Sequence, residues 1–598
     1  MVLFFVGFSL TLSASETKVI HFSPRQGVDM TPIIKRAINQ SRKQNLHLIF
    51  APGNYYFKPN FAYAHYEAII NHDNGLKKII FPIQKREEVT IESEGAEFYF
   101  HGRVMPFQFT DCKKVTVEGI RIHWDIPLLF SGEVMAIDAQ EGWRDIKPVD
   151  DGGQWFVRKG RLYWPNIDGF NFTELGQSLA FTKDTKRPVD MAYGFTSHET
   201  KVEKRPGGIL RIYEKLAHYP PVGSILNSKG DKEHDRYAPA FRVVHSSNIL
   251  FKNVVVHHAL GMGYLFEFCD HITLDSCSVL LEKDSPNVVS STADATHFAN
   301  CKGDILLDHC HFENMLDDGT NVHGTYVSVI KTMKQNKVRV ALMHEEQLGG
   351  TFAQVGDTLW VIHQPNPDRM KETVVVKKIT KVNEKYQDIT LDKSLNQLLQ
   401  PGDLFENKTW NPTFTMSHCV IRDHRARNVI IKTPKRIVIE DNDFSSMMSS
   451  ILLRGESFYW FESGAVTDVL IRNNHFSHSA SCAAPHAILY VTPRLGKEYD
   501  AHAIYDRNIR FVDNVIENYQ PRIIWAYNVD GLTVKGNKIT QTHESESSQG
   551  DAPLFELHDC AHVRIEHNTY LGSHTEIIES DATTKKTLLF KNNSINRP

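Results

Sequence analysis

The sequence predicts an all-β protein: a right-handed parallel β-helix solenoid with small antiparallel β-barrel or sandwich domains inserted into it. A strand-and-turn pattern recurs at intervals in the twenties and thirties over much of the 598 residues. Two stretches break this period, and each contains closely spaced strands. A fixed period of this length with short strands is typical of a solenoid, whose coils bury their apolar faces against their neighbours.

The repeating unit alternates apolar and polar residues over a few positions and then turns. Residues 274–279 are echoed 33 positions later by residues 307–312. This alternation, followed by Asn, Asp or Gly, indicates a half-buried strand and a tight turn. We expect the turn asparagines of stacked copies to form an inward amide ladder. The form that turns at Asn recurs in residues 437–444, 469–476, 509–516, 532–539 and 563–568.

The chain begins with a segment that is typical of export. Residues 1–15 carry no charge and are rich in Val, Leu and Phe. They are therefore predicted to be a signal peptide, although the usual basic start is missing. We expect an exported protein of the periplasm or cell exterior. No later segment is long and apolar enough to predict a membrane span.

The next elements are a cap, coils and two insertions. Residues 16–130 should form the N-terminal cap and first coils, with one helix that begins near Asp29 or Thr31 and has Pro32 in its first turn. Residues 131–234 are predicted to form an inserted β domain and residues 326–410 an inserted β-barrel. Residues 235–325 and 411–598 should form the remaining coils. Insertions often emerge on the binding face of a solenoid.

The cysteines favour a structural role. Each precedes a predicted strand by three or four residues, so a recurring buried turn position is expected rather than a disulfide framework. No Cys-x-x-Cys pair occurs, which argues against a structural zinc site. Of the eight cysteines, the four with this spacing are Cys112, Cys269, Cys301 and Cys560.

The composition argues against nucleic acid as a partner. The 67 basic residues are balanced by 71 acidic ones, and no basic block occurs. Aromatic residues make up 10% of the chain and include candidates for sugar stacking, although most should be packing residues.

Three aspartates are predicted to meet on adjacent coils. Asp294 and Asp317 are 23 residues apart, close to one repeat, and Asp318 follows directly. Hydrolysis of a glycosidic bond needs one carboxylic acid and one carboxylate, about 5–5.5 Å apart in retaining enzymes and about 6.5–9.5 Å apart in inverting ones. Coils stack at about 4.8 Å, so either outcome stays open. Crowding of like charges should raise the pKa of at least one of the three.

An Asp-Asp-Gly sequence on its own is more typical of a simple turn. The expected register with Asp294 and the polar neighbourhood favour a catalytic site here. The candidate catalytic residues are Asp294, Asp317 and Asp318. The candidate substrate-binding residues are Glu267, His297, Asn321, His323, Arg454 and Glu456.

Residues 293–298, 310–314 and 316–324 resemble glycoside hydrolase family 110. Its members are bacterial exo-α-1,3-galactosidases that remove terminal galactose from blood group B and related glycans. The likeness covers nearly the whole chain and implies a β-helix with inserted β-barrels. It also implies an inverting mechanism without a metal or other cofactor, in which Asp294 is the general acid and Asp317 or Asp318 activates water.

The resemblance implies terminal α-galactosyl oligosaccharides and glycoconjugates as partners. Preference for fucose-branched or linear substrates stays open, as does a homodimer. Two other functions are also open: a polygalacturonase-like hydrolase, because Asp317, Asp318 and the pair His323 and Gly324 loosely match that family, and a noncatalytic glycan-binding β-helix. Loss of turnover without loss of folding on mutation of Asp294 would separate an enzyme from a binding protein.

Overall fold

The computed structural model describes residues 16–597, apart from residues 43, 151, 335, 364–368, 396–397 and 496–501. The signal peptide predicted at residues 1–15 lies outside the described residues. Two α-helices occur in the described chain, Thr31–Gln40 and Ala582–Lys585. Neither has the length and apolarity that a membrane crossing requires. Short 3-10 helices lie at Pro59–Phe61, Pro206–Gly208 and Glu345–Gln347.

The chain winds into a parallel β-helix, which confirms the predicted fold class. A typical coil has three strands, such as Thr296–Ala299, Lys302–Asp308 and His311–Glu313, and each pairs in parallel with the coils before and after. We call the ladder that contains Thr296–Ala299 the site sheet. Its strands are Gly75–Gln84, Met105–Thr110, Phe241–Val244, Tyr264–Glu267, Thr296–Ala299, Thr320–Met333, Val429–Ile431, Ile451–Leu453, Leu489–Val491, Ile524–Tyr527, Phe555–His558 and Ile578–Ser580.

The other two ladders continue into each other around a corner of the coil and share long strands near the N-terminus. Their strands are Thr17–Phe22, Asn45–Phe50, Gly53–Phe57, Val89–Phe100, Val115–Trp124, Ser247–Lys252, Val255–Val256, Asp270–Asp275, Ser278–Val279, Lys302–Asp308, His311–Glu313, Pro412–Ser417, Val420–Arg422, Arg436–Glu440, Asp443–Ser446, Asp468–Arg472, His475–Ser479, Asp506–Val512, Val515–Asn518, Val529–Lys535, Lys538–Gln541, Ala561–Glu566, Thr569–Leu571, Leu589–Lys591 and Ser594–Asn596.

The interior of the β-helix is one continuous apolar core. Alternate residues of each strand point inward because successive side chains leave a strand on opposite faces. Phe266 and Phe298, for example, are fully buried in the site sheet and stack across adjacent coils at a centroid distance of 5.0 Å. The residues on either side of each inward residue in a strand point to the outer face, and the outer face of this sheet carries the polar site described below.

The predicted amide ladder is present at a buried corner. Each side-chain amide donates to the Oδ1 atom of the next asparagine at 2.8–3.1 Å, and each backbone N–H of the first five donates to the same atom. Cysteines fill the same position in three earlier coils. The ladder residues are Cys277, Cys310, Cys419, Asn442, Asn474, Asn514, Asn537, Asn568 and Asn593.

All eight cysteines are buried free thiols. Those predicted to share a turn position have similar surroundings. The Sγ atoms of Cys269, Cys301 and Cys560 each donate to a backbone carbonyl of the preceding coil, at 3.3, 3.5 and 3.6 Å. Their role as small core residues is therefore confirmed.

The first insertion is antiparallel. Its main sheet has seven strands, and a separate group of three strands lies beside it. The seven strands, in spatial order, are Phe195–Ser197, Gly176–Phe181, Ile225–Ser228, Phe130–Asp138, Trp143–Pro148, Ile209–Tyr213 and Lys201–Arg205, and the three are Phe156–Arg158, Arg161–Ile167 and Phe170–Phe172.

The second insertion closes into a six-stranded antiparallel barrel with its own apolar core. Its strands are the second half of Thr320–Met333, Lys337–Ala341, Tyr386–Leu391, Arg369–Lys381, Thr358–Ile362 and Leu404–Asn407. The strand Thr320–Met333 begins in the site sheet and ends in the barrel, so the barrel grows directly out of the coil that carries two of the aspartates. Two short strands, Tyr63–Glu67 and Glu462–Ser463, pair antiparallel with the site sheet.

The N-terminal helix begins close to the predicted position. Met30 is its N-cap residue, and Pro32 lies in its first turn. The backbone N–H of Thr31 donates to Asp29 Oδ1 at 2.9 Å, so Asp29 satisfies one of the free donors at the start of the helix.

Candidate active site

Asp294 and Asp318 occupy the same position on adjacent coils. Thr296 pairs with Thr320, and each aspartate lies two residues before its threonine. The backbone N–H of Ala295 donates to the carbonyl oxygen of Asp318 at 2.9 Å. The nearest carboxyl oxygens of Asp294, Asp317 and Asp318 all lie within 4.8 Å of one another. The coil register therefore brings the three predicted catalytic residues together.

Arg427 continues this column on the third coil. Thr320 pairs with Val429, which places Arg427 beside Asp318. Its backbone N–H donates to Asp318 Oδ1 and its Nη2 to Oδ2, both at 2.9 Å. Gly319 is required for this close approach, because a Cβ atom there would lie 2.6 Å from the carbonyl oxygen of Asn428.

Asp317 is held by a different set of cations. Arg236 Nη2 donates to Asp317 Oδ2 at 2.5 Å, and Arg425 Nη1 lies 3.8 Å from Oδ1. Burial raises the pKa of Asp317, but the charges of Arg236, Arg425 and Arg427 outweigh burial and lower the pKa to about 2. Asp317 is therefore a carboxylate at neutral pH.

The pKa values of the other two aspartates are raised instead of lowered. Burial and the charge of Asp317 raise the pKa of Asp294 well above its usual value, although Arg236 and Arg427 act against this. Burial raises the pKa of Asp318 as well, against the charge of Arg427. The expected rise in pKa within the crowded carboxyl group is thus present, and the three residues have distinct electrostatic surroundings.

A cavity of about 990 Å³ opens onto the three aspartates. Its wall comes from four separate parts of the chain. The site sheet supplies Asn321, Ile430, Lys432, Leu452 and Arg454; the first insertion and its exit supply Glu174, Gln177, Thr196, His198, Lys229 and Arg236; the second insertion supplies Glu346; and later coils and loops supply Glu456, Phe458, Tyr459, Trp460, Glu462, His486, Tyr490 and Arg494.

Three predicted substrate-binding residues line this cavity. Asn321 accepts from Lys432 Nζ at 3.3 Å. Arg454 lines the cavity and donates through Nε to the carbonyl oxygen of Thr492 at 3.2 Å. Glu456 also lines the cavity, but its Oε1 accepts from the backbone of the aromatic loop, at 2.9 Å from Tyr459 N and 3.0 Å from Trp460 N.

The other three predicted binding residues lie outside the cavity wall, which corrects the expectation of substrate contact. Glu267 is paired with Arg242, whose Nε donates to its Oε2 at 2.6 Å. His297 and His323 are buried behind Asp294 and bond to each other through their Nε2 atoms at 2.8 Å. Their ring nitrogens are used inside the protein, so they act on the site from behind it.

Sequence reasoning missed the cations that surround the carboxylates. Arg427 follows Asp318 by 109 positions because the second insertion separates two consecutive coils. The signal was available: Arg427 lies two residues before Val429, as Asp318 lies two residues before Thr320. Arg236 lies in the segment that follows the first insertion, where no repeat predicts its position.

Comparison with known proteins agrees with this geometry. Alpha-1,3-galactosidase A of Shewanella woodyi is 30% identical over 571 residues, which cover 93% of this chain and 91% of that protein. The chain belongs to the α-1,3-galactosidases of glycoside hydrolase family 110.

A second relative, two family models and a solved structure are also similar to this family-110 glycoside hydrolase. Alpha-1,3-galactosidase B of Parabacteroides distasonis is 28% identical over 92% of each chain. Residues 130–226 match the family model GLAA-B beta-barrel domain I, and residues 337–405 match GLAA-B beta-barrel domain II. The family 28 exopolygalacturonase of Yersinia enterocolitica aligns with a TM-score of 0.34 and 10% identity, over 97% of this chain and 78% of that one.

Proposed function

We propose that the protein is an exo-acting α-1,3-galactosidase that hydrolyses terminal α-1,3-linked galactose of blood group B and linear α-galactosyl glycans. The main support is the column of Asp294 and Asp318 on adjacent coils, with Asp317 beside them, on the wall of one cavity. The relatives named alpha-1,3-galactosidase support the choice of sugar and linkage.

Asp294 is the general acid in this proposal. Its raised pKa keeps a proton available near neutral pH, as protonation of the departing oxygen requires. Asp317 and Asp318 hold the attacking water between them. Asp318 takes the proton that the water loses, because its two hydrogen bonds from Arg427 favour its ionised form.

We infer that the reaction inverts the anomeric carbon. Asp317 and Asp318 lie beside Asp294, so one of them can deprotonate a water molecule while Asp294 acts as the acid, as an inverting reaction requires. The nearest oxygens of the three groups lie closer together, within 4.8 Å, than the roughly 6.5–9.5 Å between carboxyl groups in inverting enzymes. Inversion therefore requires that the carboxyl oxygens that lie farther apart react, so that the sugar and the water fit between Asp294 and the other two aspartates.

The test is release of galactose, without added metal, from a linear α-1,3-galactosyl disaccharide and a fucose-branched blood group B oligosaccharide in parallel. We expect wild-type protein to release galactose from both. Asp294→Asn should lower kcat/KM by about 10²- to 10⁴-fold, the usual contribution of a general acid. Asp513→Asn, an exposed turn residue, is the matched control and should keep full activity. Glycan binding without galactose release by the wild type would contradict the proposal.

The same variant has an expected effect on stability. A carboxyl group whose pKa is higher in the folded than in the unfolded chain costs folding free energy at neutral pH, because the folded chain holds a proton that the unfolded chain would release. Asp294→Asn removes this cost, so Tm at pH 7 should be unchanged or higher. The difference should shrink as the pH falls toward the unfolded pKa of about 3.9. A large loss of Tm would mean that the loss of activity reports unfolding.

A further inference from the structure

A line of buried polar side chains runs from Asp294 away from the cavity. Asp294 Oδ2 lies 2.7 Å from His297 Nδ1, and His297 Nε2 lies 2.8 Å from His323 Nε2. His323 Nε2 lies 3.6 Å from Glu462 Oε1. Glu462 lines the cavity, whereas both imidazoles lie behind its wall. The line therefore connects two cavity carboxyl groups through the protein interior.

Hydrogen-bond partners fix the protons of this line when both rings are neutral. His323 Nδ1 lies 2.7 Å from the carbonyl oxygen of Gly324, which can only accept, so Nδ1 carries a hydrogen. His323 then has a lone pair at Nε2, and His297 must donate from its own Nε2. His297 is left with a lone pair at Nδ1. The hydrogen between His297 and Asp294 therefore belongs to the carboxyl group of Asp294.

The pKa shifts agree with this assignment of hydrogens. Burial lowers the pKa of His297 to about 4 and that of His323 to about 3, so both rings are neutral near pH 7. The raised pKa of Asp294 supplies the proton that the line needs. The charged and titratable groups that face these three residues are Asp317, Asp318, Arg236, Arg427, Lys432, Glu462 and His72.

In this neutral state the proton of Asp294 is on the oxygen that cannot deliver it to the substrate. It lies on Oδ2 and points at His297, while Oδ1 is the oxygen left for the cavity. If the Oδ2 proton moves to His297 Nδ1 while the Nε2 proton of His297 moves to His323, Oδ2 becomes an acceptor and Oδ1 can take a proton. His323 becomes an imidazolium beside Glu462. Burial raises the pKa of Glu462, but His323 and Lys432 lower it further, so Glu462 is the carboxylate that stabilises this imidazolium.

We propose that His297 and His323 are positioning residues that form a proton relay between Asp294 and Glu462, and that the relay allows Asp294 to deliver a proton through Oδ1. This inference rests on the proposed function. The loaded state is a minor species near pH 7 that holds one proton more than the neutral state: Oδ1 is protonated and His323 is an imidazolium. When Oδ1 gives its proton to the glycosidic oxygen, the C–O bond breaks and its electron pair stays with that oxygen. The two relay protons shift back and leave Oδ2 protonated. The proton that water loses to Asp318 returns through solvent and reloads Oδ1.

His323→Gln tests the relay most directly. The glutamine oxygen can still accept from His297 Nε2, but glutamine cannot carry the second proton. We expect kcat/KM for the α-1,3-galactosyl disaccharide to fall by about 10²-fold or more, and its alkaline limb to move to lower pH. For 2,4-dinitrophenyl α-galactoside, whose departing oxygen needs no proton, kcat/KM should stay within about threefold of wild type.

The matched control is His258→Gln. His258 is a buried histidine that contacts Trp124 edge-on at a centroid distance of 5.9 Å, and it does not face the relay residues. This variant should leave the pH profile and the ratio of the two substrates unchanged. Equal losses on both substrates in His323→Gln, with an unmoved alkaline limb, would overturn the relay. An inactive wild type would instead remove the proposed function.

A measurement on wild-type protein is independent of whether the variant folds. The rate of disaccharide hydrolysis is measured in mixtures of H₂O and D₂O. The acid proton and the proton that water loses already give a quadratic plot of kcat against deuterium fraction, so the two relay protons should produce a plot that a quadratic does not fit. A linear or quadratic plot would overturn the relay.

Discussion

At the scale of single residues, the site gives neighbouring carboxyl groups different surroundings. Asp317 contacts two arginines and is a strong acid, while Asp294 contacts a neutral imidazole and stays protonated. Divergent pKa values within one site are how a fold assigns acid and base roles at neutral pH. The spacing of the aspartates was enough to predict their meeting. Their electrostatics could not be predicted, because Arg236 and Arg425 come from distant segments.

Two exposed aromatic residues at the cavity belong to the same scale. Phe458 and Tyr459 are 54% and 52% exposed, although both are large and apolar. Their loop is nonetheless fixed: Glu456 Oε1 accepts from two of its backbone N–H groups, and Gln347 Nε2 donates to the carbonyl oxygen of Trp460 at 2.6 Å. We infer that this aromatic surface, on the wall of the same cavity as the aspartates, binds the sugar that follows the terminal galactose.

Replacement of both Phe458 and Tyr459 by alanine should weaken this contact. We expect KM for the disaccharide to rise by about three- to tenfold, as the loss of about 0.5–1.5 kcal/mol of aromatic contact implies, with little change in kcat. Steady-state kinetics provides the measurement. Phe61→Ala, at 56% exposure and outside the cavity wall, is the control and should change neither constant. An unchanged KM in the double variant would show that the loop does not bind the substrate.

At the scale of elements, regular coil stacking determines which residues meet. The asparagine ladder places one buried amide per coil at a fixed position, and each amide bonds to the next coil. Its existence was predictable because the turn asparagine recurs in the printed sequence. The sequence did not predict that cysteines occupy the same position in earlier coils. Only the strand register of the structure relates Cys277, Cys310 and Cys419 to Asn442.

Asn514→Ala should destabilise the β-helix by about 1–3 kcal/mol, because it leaves buried donors and acceptors without partners. Asn593 occupies the same position near the end of the ladder but is partly exposed, so water can replace its amide. Asn593→Ala should therefore cost clearly less. Chemical denaturation of both variants measures the difference. Equal losses would mean that the ladder contributes through packing of the side chain and not through its hydrogen bonds.

At the scale of the whole molecule, the β-helix supplies the three aspartates, and the insertions supply walls of the cavity. Glu174, Gln177 and Thr196 reach the cavity from the first insertion, and Glu346 reaches it from the second. The predicted second insertion, residues 326–410, begins soon after Asp318 in the sequence, and in the structure the strand Thr320–Met333 belongs to both the coil and the barrel. The first insertion's place on the same cavity was beyond prediction, because no repeat positions it.

The most direct test of catalysis by these three aspartates is the configuration of the first galactose released. Time-resolved proton NMR follows hydrolysis of a terminal α-1,3-galactosyl disaccharide before the anomers equilibrate. If Asp294 protonates the departing oxygen while Asp317 and Asp318 direct a water molecule, β-galactose should appear first. If α-galactose appears first, a carboxylate has attacked the sugar directly, and the roles assigned to the three residues are wrong.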